Sequence, residues 1–207
     1  MMPKRTAASL YSAGILLLSL GVALNIQSGL GTSPFDALLV GLSDQVGLTV
    51  GSWEILIAFF MIMVNSALVR QRPELWGLFT AFLTGAGIDL WLYVFEHSLN
   101  PAHWASQLAT FGAGIVLINI GTALYLFSGL AAIPIDRLTM ILKDLLRSNV
   151  FVARTAVYFL CLLLAFLLGG PIGVGTVLTV CLGGLLLNFF VRLTARIPVS
   201  PAKHPNS

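Results

Sequence analysis

The chain is 207 residues long, 57% hydrophobic and only 9% charged, with a formal net charge of +3. An average soluble domain carries roughly 25% charged residues, so this chain has too little charge to cover a water-facing surface, and lipid is the solvent it suits. The small positive excess does not point to nucleic acid, because the basic residues sit in short loops between apolar runs rather than on one polar face.

A spanning helix needs about 20 mostly apolar residues, and six segments qualify. The first covers residues 9–27. Lys4 and Arg5 precede it as they would a signal peptide, but no Ala-x-Ala-like site follows, so it is expected to be retained. A short helix over 34–46 comes next, then spans over 51–69, 75–95 and 105–127. A second short helix over 134–147 leads to spans over 151–168 and 172–192, and residues 197–207 read as a disordered cytoplasmic tail. The short segments reach only about 20 Å at 1.5 Å per residue, less than the roughly 30 Å hydrocarbon core, so neither is expected to cross.

The segment from Ala13 to Leu38 recurs without a gap at Ala113 to Leu138, with thirteen identities in twenty-six positions. The expected architecture is therefore all-α and polytopic, in two copies of three spans and one half-helix: 1–100 and 101–196. Orientation follows from where lysine and arginine fall. With six spans, all eleven basic residues lie on one side, which places both termini in the cytoplasm. Three spans is an odd number, so the second copy enters the membrane in the opposite sense. The expectation is an inverted repeat with a pseudo-two-fold axis in the membrane plane.

After the first and fourth spans the chain reads Ser28-Gly29-Leu30-Gly31-Thr32-Ser33-Pro34-Phe35-Asp36 and Ser128-Gly129-Leu130-Ala131-Ala132-Ile133-Pro134-Ile135-Asp136. Gly29 and Gly129 suit left-handed helix ends, and Pro34 and Pro134 suit the first residue of a new helix. Asp36 and Asp136 then fall in its first turn, near the positive end of the helix dipole. Two readings stay open. The aspartates either cap amphipathic helices lying on the membrane, with Ile135, Leu138, Ile141, Leu142 and Leu145 facing lipid, or stand at the tips of re-entrant half-helices that face a cavity between the copies.

Asp89 lies within a span, where an ionised carboxylate costs about 2.5 to 3.5 kcal/mol at the centre unless it faces protein or water. With a one-residue shift, Asn188 is its counterpart, and the pair is a candidate for a proton, a cation or an amine, or else a hydrogen bond between packed helices. Glu54 and Arg154 are also equivalent, but inversion puts them near opposite faces, with Arg154 expected to reach the cytoplasmic interface. Asn25, Asn65 and Asn119 read as interhelical hydrogen-bonding groups. Cys161 and Cys181 read as small buried hydrophobes rather than a disulfide or metal pair.

The runs Ser19-Leu20-Gly21-Val22-Ala23-Leu24, Gly29-Leu30-Gly31-Thr32-Ser33-Pro34-Phe35-Asp36-Ala37-Leu38 and Gly47-Leu48-Thr49-Val50-Gly51-Ser52-Trp53 resemble bacterial YczE/YitT-type membrane proteins. The resemblance is densest before residue 95 and implies an integral protein of the bacterial inner membrane, with a tie to small-molecule or secondary-metabolite physiology. It supplies no catalytic residues. The three histidines lie in loops or the tail, and no His-Glu-x-x-His, Gly-x-Ser-x-Gly or phosphate-binding loop is present, so no enzyme, metal or cofactor is expected.

The expectation that results is a small secondary transporter of a polar metabolite. Asp36, Asp136, Asp89 and Asn188 would contact the substrate or coupling ion, and Gly29, Pro34, Gly129 and Pro134 would shape the half-helices. Six short spans enclose little volume, which makes a homodimer a candidate working unit. The rival is an accessory protein that scaffolds a partner in the bilayer.

Overall fold

The computed structural model describes residues 4–130 and 133–195; the tail expected at 197–207 lies outside them. Eight α-helices and no strand occur among the described residues. They are α1 (Lys4–Gln27), α2 (Pro34–Val46), α3 (Val50–Val69), α4 (Trp76–Phe95), α5 (Trp104–Ser128), α6 (Pro134–Leu145), α7 (Val150–Leu167) and α8 (Val174–Thr194). Six of these, all but α2 and α6, are long and apolar enough to cross a membrane. A helix satisfies its backbone donors and acceptors internally, which is why a chain with this composition is helical throughout its apolar runs.

The two short helices start and stop where local chemistry dictates. Ser33 is extended and its side chain accepts from the Asp36 N–H, a cap that fixes the first turn of α2, while Pro34 occupies the position where a missing donor costs nothing. Pro134 opens α6 in the same way, and α6 ends at Leu145, two residues before the expected boundary, where Arg147 turns into the left-handed region. Gly29 and Gly129 both adopt positive φ (+70° and +66°), so the repeated Ser-Gly-Leu turns share one backbone solution.

The core is the seam between α1 and α5, which run antiparallel. Gly14 backs onto Gly121 and Gly21 onto Gly114, and a β-carbon at any of the four would meet main-chain or side-chain atoms of the facing helix. Since Gly114 and Gly121 are the repeat equivalents of Gly14 and Gly21, the contact maps onto itself when the copies are exchanged. Small residues let backbones approach, which matters in lipid, where apolar surface alone does not drive helices together.

The other packings come in matched pairs. α1 packs on α4 as α5 packs on α8, and α2 on α3 as α6 on α7. Each half-helix also crosses to the other copy, α2 onto α7 and α6 onto α3. Two packings are not matched: α4 touches α6 more than α8 touches α2, and the larger difference lies in the hairpins. α3 and α4 pack closely, whereas α7 and α8 barely touch.

Candidate functional site at the seam between the copies

The lead-in to α2 is tied to the turn between α7 and α8. The Thr32 N–H donates to Pro171 O at 3.3 Å and the Gly175 N–H donates to Leu30 O at 2.8 Å. Gly31 (φ +93°) lies against Gly173 and Gly41 against Gly170, so α2 seats directly on that turn. Ala37 and Leu39 are fully buried, while Val46 at the far end is 63% exposed. α2 thus begins inside the bundle and ends outside it. α6 does likewise at shallower depth: Pro134, Ile135 and Thr139 are buried, and Leu145, expected on its apolar face, is exposed. Asn65 of α3 donates to Pro134 O at 3.0 Å and holds the start of α6.

Asp36 is 7% exposed, and its Oδ2 accepts from Ser33 Oγ at 2.6 Å and Thr32 Oγ1 at 3.4 Å. Burial pushes its carboxyl up to about 6, against the opposing pull of the Ser33 and Thr32 hydroxyls. The first turn of α2 is therefore both capped and inward-facing, so the capping role and the inward position coexist in one residue.

Glu54 of α3 is 3% exposed and has no hydrogen-bond or ion-pair partner among the described residues. Its helix packs against α2. The sequence marks Glu54 as the equivalent of Arg154 but gives no sign that it is buried.

In the second copy, Tyr125 Oη donates to Asp136 Oδ2 at 2.5 Å. Arg154 does not extend outward as expected. It donates to Tyr158 Oη at 2.9 Å and lies over that ring at 5.1 Å. Arg154 and Glu54 form no ion pair with each other.

Asp89 stands apart from these groups. Its Oδ1 accepts from the Gly51 N–H at 2.8 Å and its Oδ2 from Thr49 Oγ1 at 2.6 Å, so both oxygens are spent on the start of α3. Asn188 is exposed on α8. The structure does not bring Asp89 and Asn188 into equivalent surroundings. Asn119 donates to Ile115 O of its own helix, and the Asn25 amide has no partner among the described residues, so of the three asparagines only Asn65 is seen bonding between helices. Cys161 is buried and Cys181 exposed, both free.

A cavity of about 30 Å³ lies beside the start of α6, lined by Asn65, Glu74, Pro134 and Arg137 among others. It has room for about one water, and Asn65, whose Oδ1 lacks a partner, is among its lining residues. Arg137 and Glu74 pair across its mouth at 2.6 Å.

The family described as "Family of unknown function (DUF6198)" matches residues 5–192. This chain belongs to that family. It is 55% identical over 186 residues to the uncharacterized protein YyaS of Bacillus subtilis, covering 90% of this chain and 92% of the relative. It is 34% identical over 207 residues to the uncharacterized membrane protein YczE of the same organism, covering 94% and 95%. An uncharacterized Haemophilus influenzae protein is 31% identical over 194 residues, covering 93% and 87%. The YczE-type resemblance seen in the sequence is thereby met. No solved structure matches.

Proposed function

We propose that this protein is a small secondary transporter of the bacterial inner membrane, moving a small polar metabolite by alternating access between inverted repeats. One observation carries the reading: each half-helix starts buried at the seam and packs on the other copy, bringing Asp36 and Asp136 to the boundary between them. A boundary built from two similar units can rock, and charged groups placed on it change surroundings as it does. The antiparallel glycine contacts of α1 and α5 support the inversion, and the one-sided distribution of lysine and arginine supports cytoplasmic termini. In this reading the substrate enters between the half-helices, Asp36 and Asp136 contact it or the coupling ion, and two protomers work together. Asp89 serves as a cap and leaves the site.

The test is flux into proteoliposomes over a broad panel of polar metabolites, after screening the purified protein for ligand-induced thermal stabilisation. Uptake that falls at least tenfold in D36N and D136N supports the reading. No uptake or stabilisation across the panel, with both variants like wild type, overturns it.

A second reading, an accessory protein that holds a partner in the membrane, has one observation in its favour: Asn188 stands exposed on an otherwise apolar stretch of α8. A polar amide facing hydrocarbon is costly without a partner. Co-purification of one stoichiometric partner, lost in N188L, would favour that reading.

A further inference from the structure

We propose that the seam opens more readily at the α6 end than at the α2 end, and that the Glu74–Arg137 ion pair is the latch that holds the α6 end shut. The two ends are built from equivalent parts. At one, α2 sits on the turn between α7 and α8; at the other, α6 sits on the loop between α3 and α4. What differs is the material of the contact.

The α2 end is closed by backbone. Gly31 lies against Gly173 and Gly41 against Gly170, and a β-carbon on Gly170 would meet Ala37 O. Two main-chain hydrogen bonds, Thr32 N–H to Pro171 O and Gly175 N–H to Leu30 O, stitch the same strip together. No side chain there can swing aside to part the two elements.

A hundred positions on, Ala37 is replaced by Arg137 and Gly41 by Ile141. Both of these side chains line the cavity of about 30 Å³, with Ile62 and Asn65 of α3. Among the described residues no main-chain hydrogen bond joins residues 70–75 to α6. The ties that remain are one hydrogen bond, Asn65 to Pro134 O at 3.0 Å, and the Glu74–Arg137 pair at 2.6 Å. Both side chains of that pair are exposed, so water competes for it and it holds weakly. Behind it, Asn65 Oδ1 is buried without a partner. An empty buried acceptor is costly, so the space beneath the latch favours entering water over a dry, closed packing.

The latch is tested by thiol labelling, without flux. Ile62 is 4% exposed beneath the latch, and Cys161, 4% exposed on α7, is a native reporter at the α2 end. Ile62→Cys, in a Cys161→Ala, Cys181→Ala background, is labelled in inverted vesicles with a membrane-impermeant reagent. Cys161, in a Cys181→Ala background, is labelled on intact cells. Where opening is fast, the labelling rate follows the open population. E74Q and R137Q should each speed labelling of Ile62→Cys about two- to fivefold, the range for an exposed ion pair, and the double variant should go no further than either single one. About 1 M salt, where the screening length falls to about 3 Å, should speed the protein with the intact pair and leave E74Q unchanged. Cys161 should label more slowly than Ile62→Cys and no faster in E74Q.

Rates unchanged in both single variants overturn the proposal, as do effects that add in the double variant, or a Cys161 that labels as fast as Ile62→Cys. Should Ile62→Cys not fold, hydrogen exchange of the α6 amides decides: E74Q should speed it by the same factor, and an unchanged rate counts against the latch. That the opening admits a substrate rests on the transport reading above; the opening itself does not. Labelling as expected in a protein with no flux leaves the latch standing and removes the transport reading alone.

Discussion

The hairpin of α3 and α4 and the hairpin of α7 and α8 come from equivalent stretches of the two copies, yet only the first is closed. In the first, Gly51 and Gly85 let the two backbones touch, and Asp89 fastens the start of α3 to α4 through Thr49 and the Gly51 N–H. In the second, Phe151 takes the place of Gly51 and is 76% exposed, Gly184 has open space around it, and Asn188 caps nothing. Asn149 caps α7 locally through the Val152 N–H, so α7 needs no help from α8. A phenylalanine lacks the room for the backbone contact that Gly51 makes with Gly85, and where the helices stand apart an aspartate fastening would have nothing to hold. The lesson is that duplication preserved the seam, the α1–α5 glycines and the half-helices, while the outer hairpins diverged. One stayed a closed support and the other became an open face.

The largest expected effect breaks this comparison directly. Gly51→Phe gives the first copy the residue of the second, and a β-carbon there already collides with Gly85 main chain. Overpacking of this kind costs about 1–3 kcal/mol and occasionally more, so the variant should run as aggregate on detergent gel filtration or melt far below wild type. The reverse change, Phe151→Gly, removes an exposed side chain and should cost about 1 kcal/mol or less, the helix propensity of glycine. Similar losses in the two variants would mean that the hairpins are not as different as their packing indicates.

Next comes the fastening. Asp89→Ala leaves the Gly51 N–H and Thr49 without their acceptor and should cost about 1–3 kcal/mol by thermal unfolding. Asn188→Ala should stay within about 0.5 kcal/mol in dilute detergent, as expected of an exposed position without partners. A smaller effect, about 1–2 kcal/mol, is expected for Tyr125→Phe, which removes one hydrogen bond to a carboxylate. Because Tyr125 has Asn25 as its equivalent, and Asn25 has no partner among the described residues, Asn25→Ala should cost less than Tyr125→Phe. The opposite order would show that Asn25 carries a bond that the packing does not reveal.

Much of this arrangement was legible in the residues. Spans and half-helices follow from lengths of apolar sequence and from Gly29, Pro34, Gly129 and Pro134, whose backbone demands are local and so survive without knowledge of the fold. Asp89 was visible as an acid in a span, but its partners, Thr49 and the Gly51 N–H, are some forty residues away, and only tertiary packing brings them there. Its register mate Asn188 was misleading for a physical reason: equivalence in sequence does not carry equivalence in packing once Gly51 is replaced by Phe151. Glu54 was legible as the equivalent of Arg154, but its burial follows from the packing of α3, which the sequence does not spell out.

The central claim is that the two copies thread the bilayer in opposite senses, with half-helices emerging on opposite faces. The most direct measurement labels single cysteines at Val46 and Leu146, in a Cys161→Ala, Cys181→Ala background, with a membrane-impermeant thiol reagent on intact cells and on inverted vesicles. Val46 should react only from outside the cell and Leu146 only from the cytoplasmic side. Labelling of both from one side would contradict the inversion, and with it the account of how the seam works.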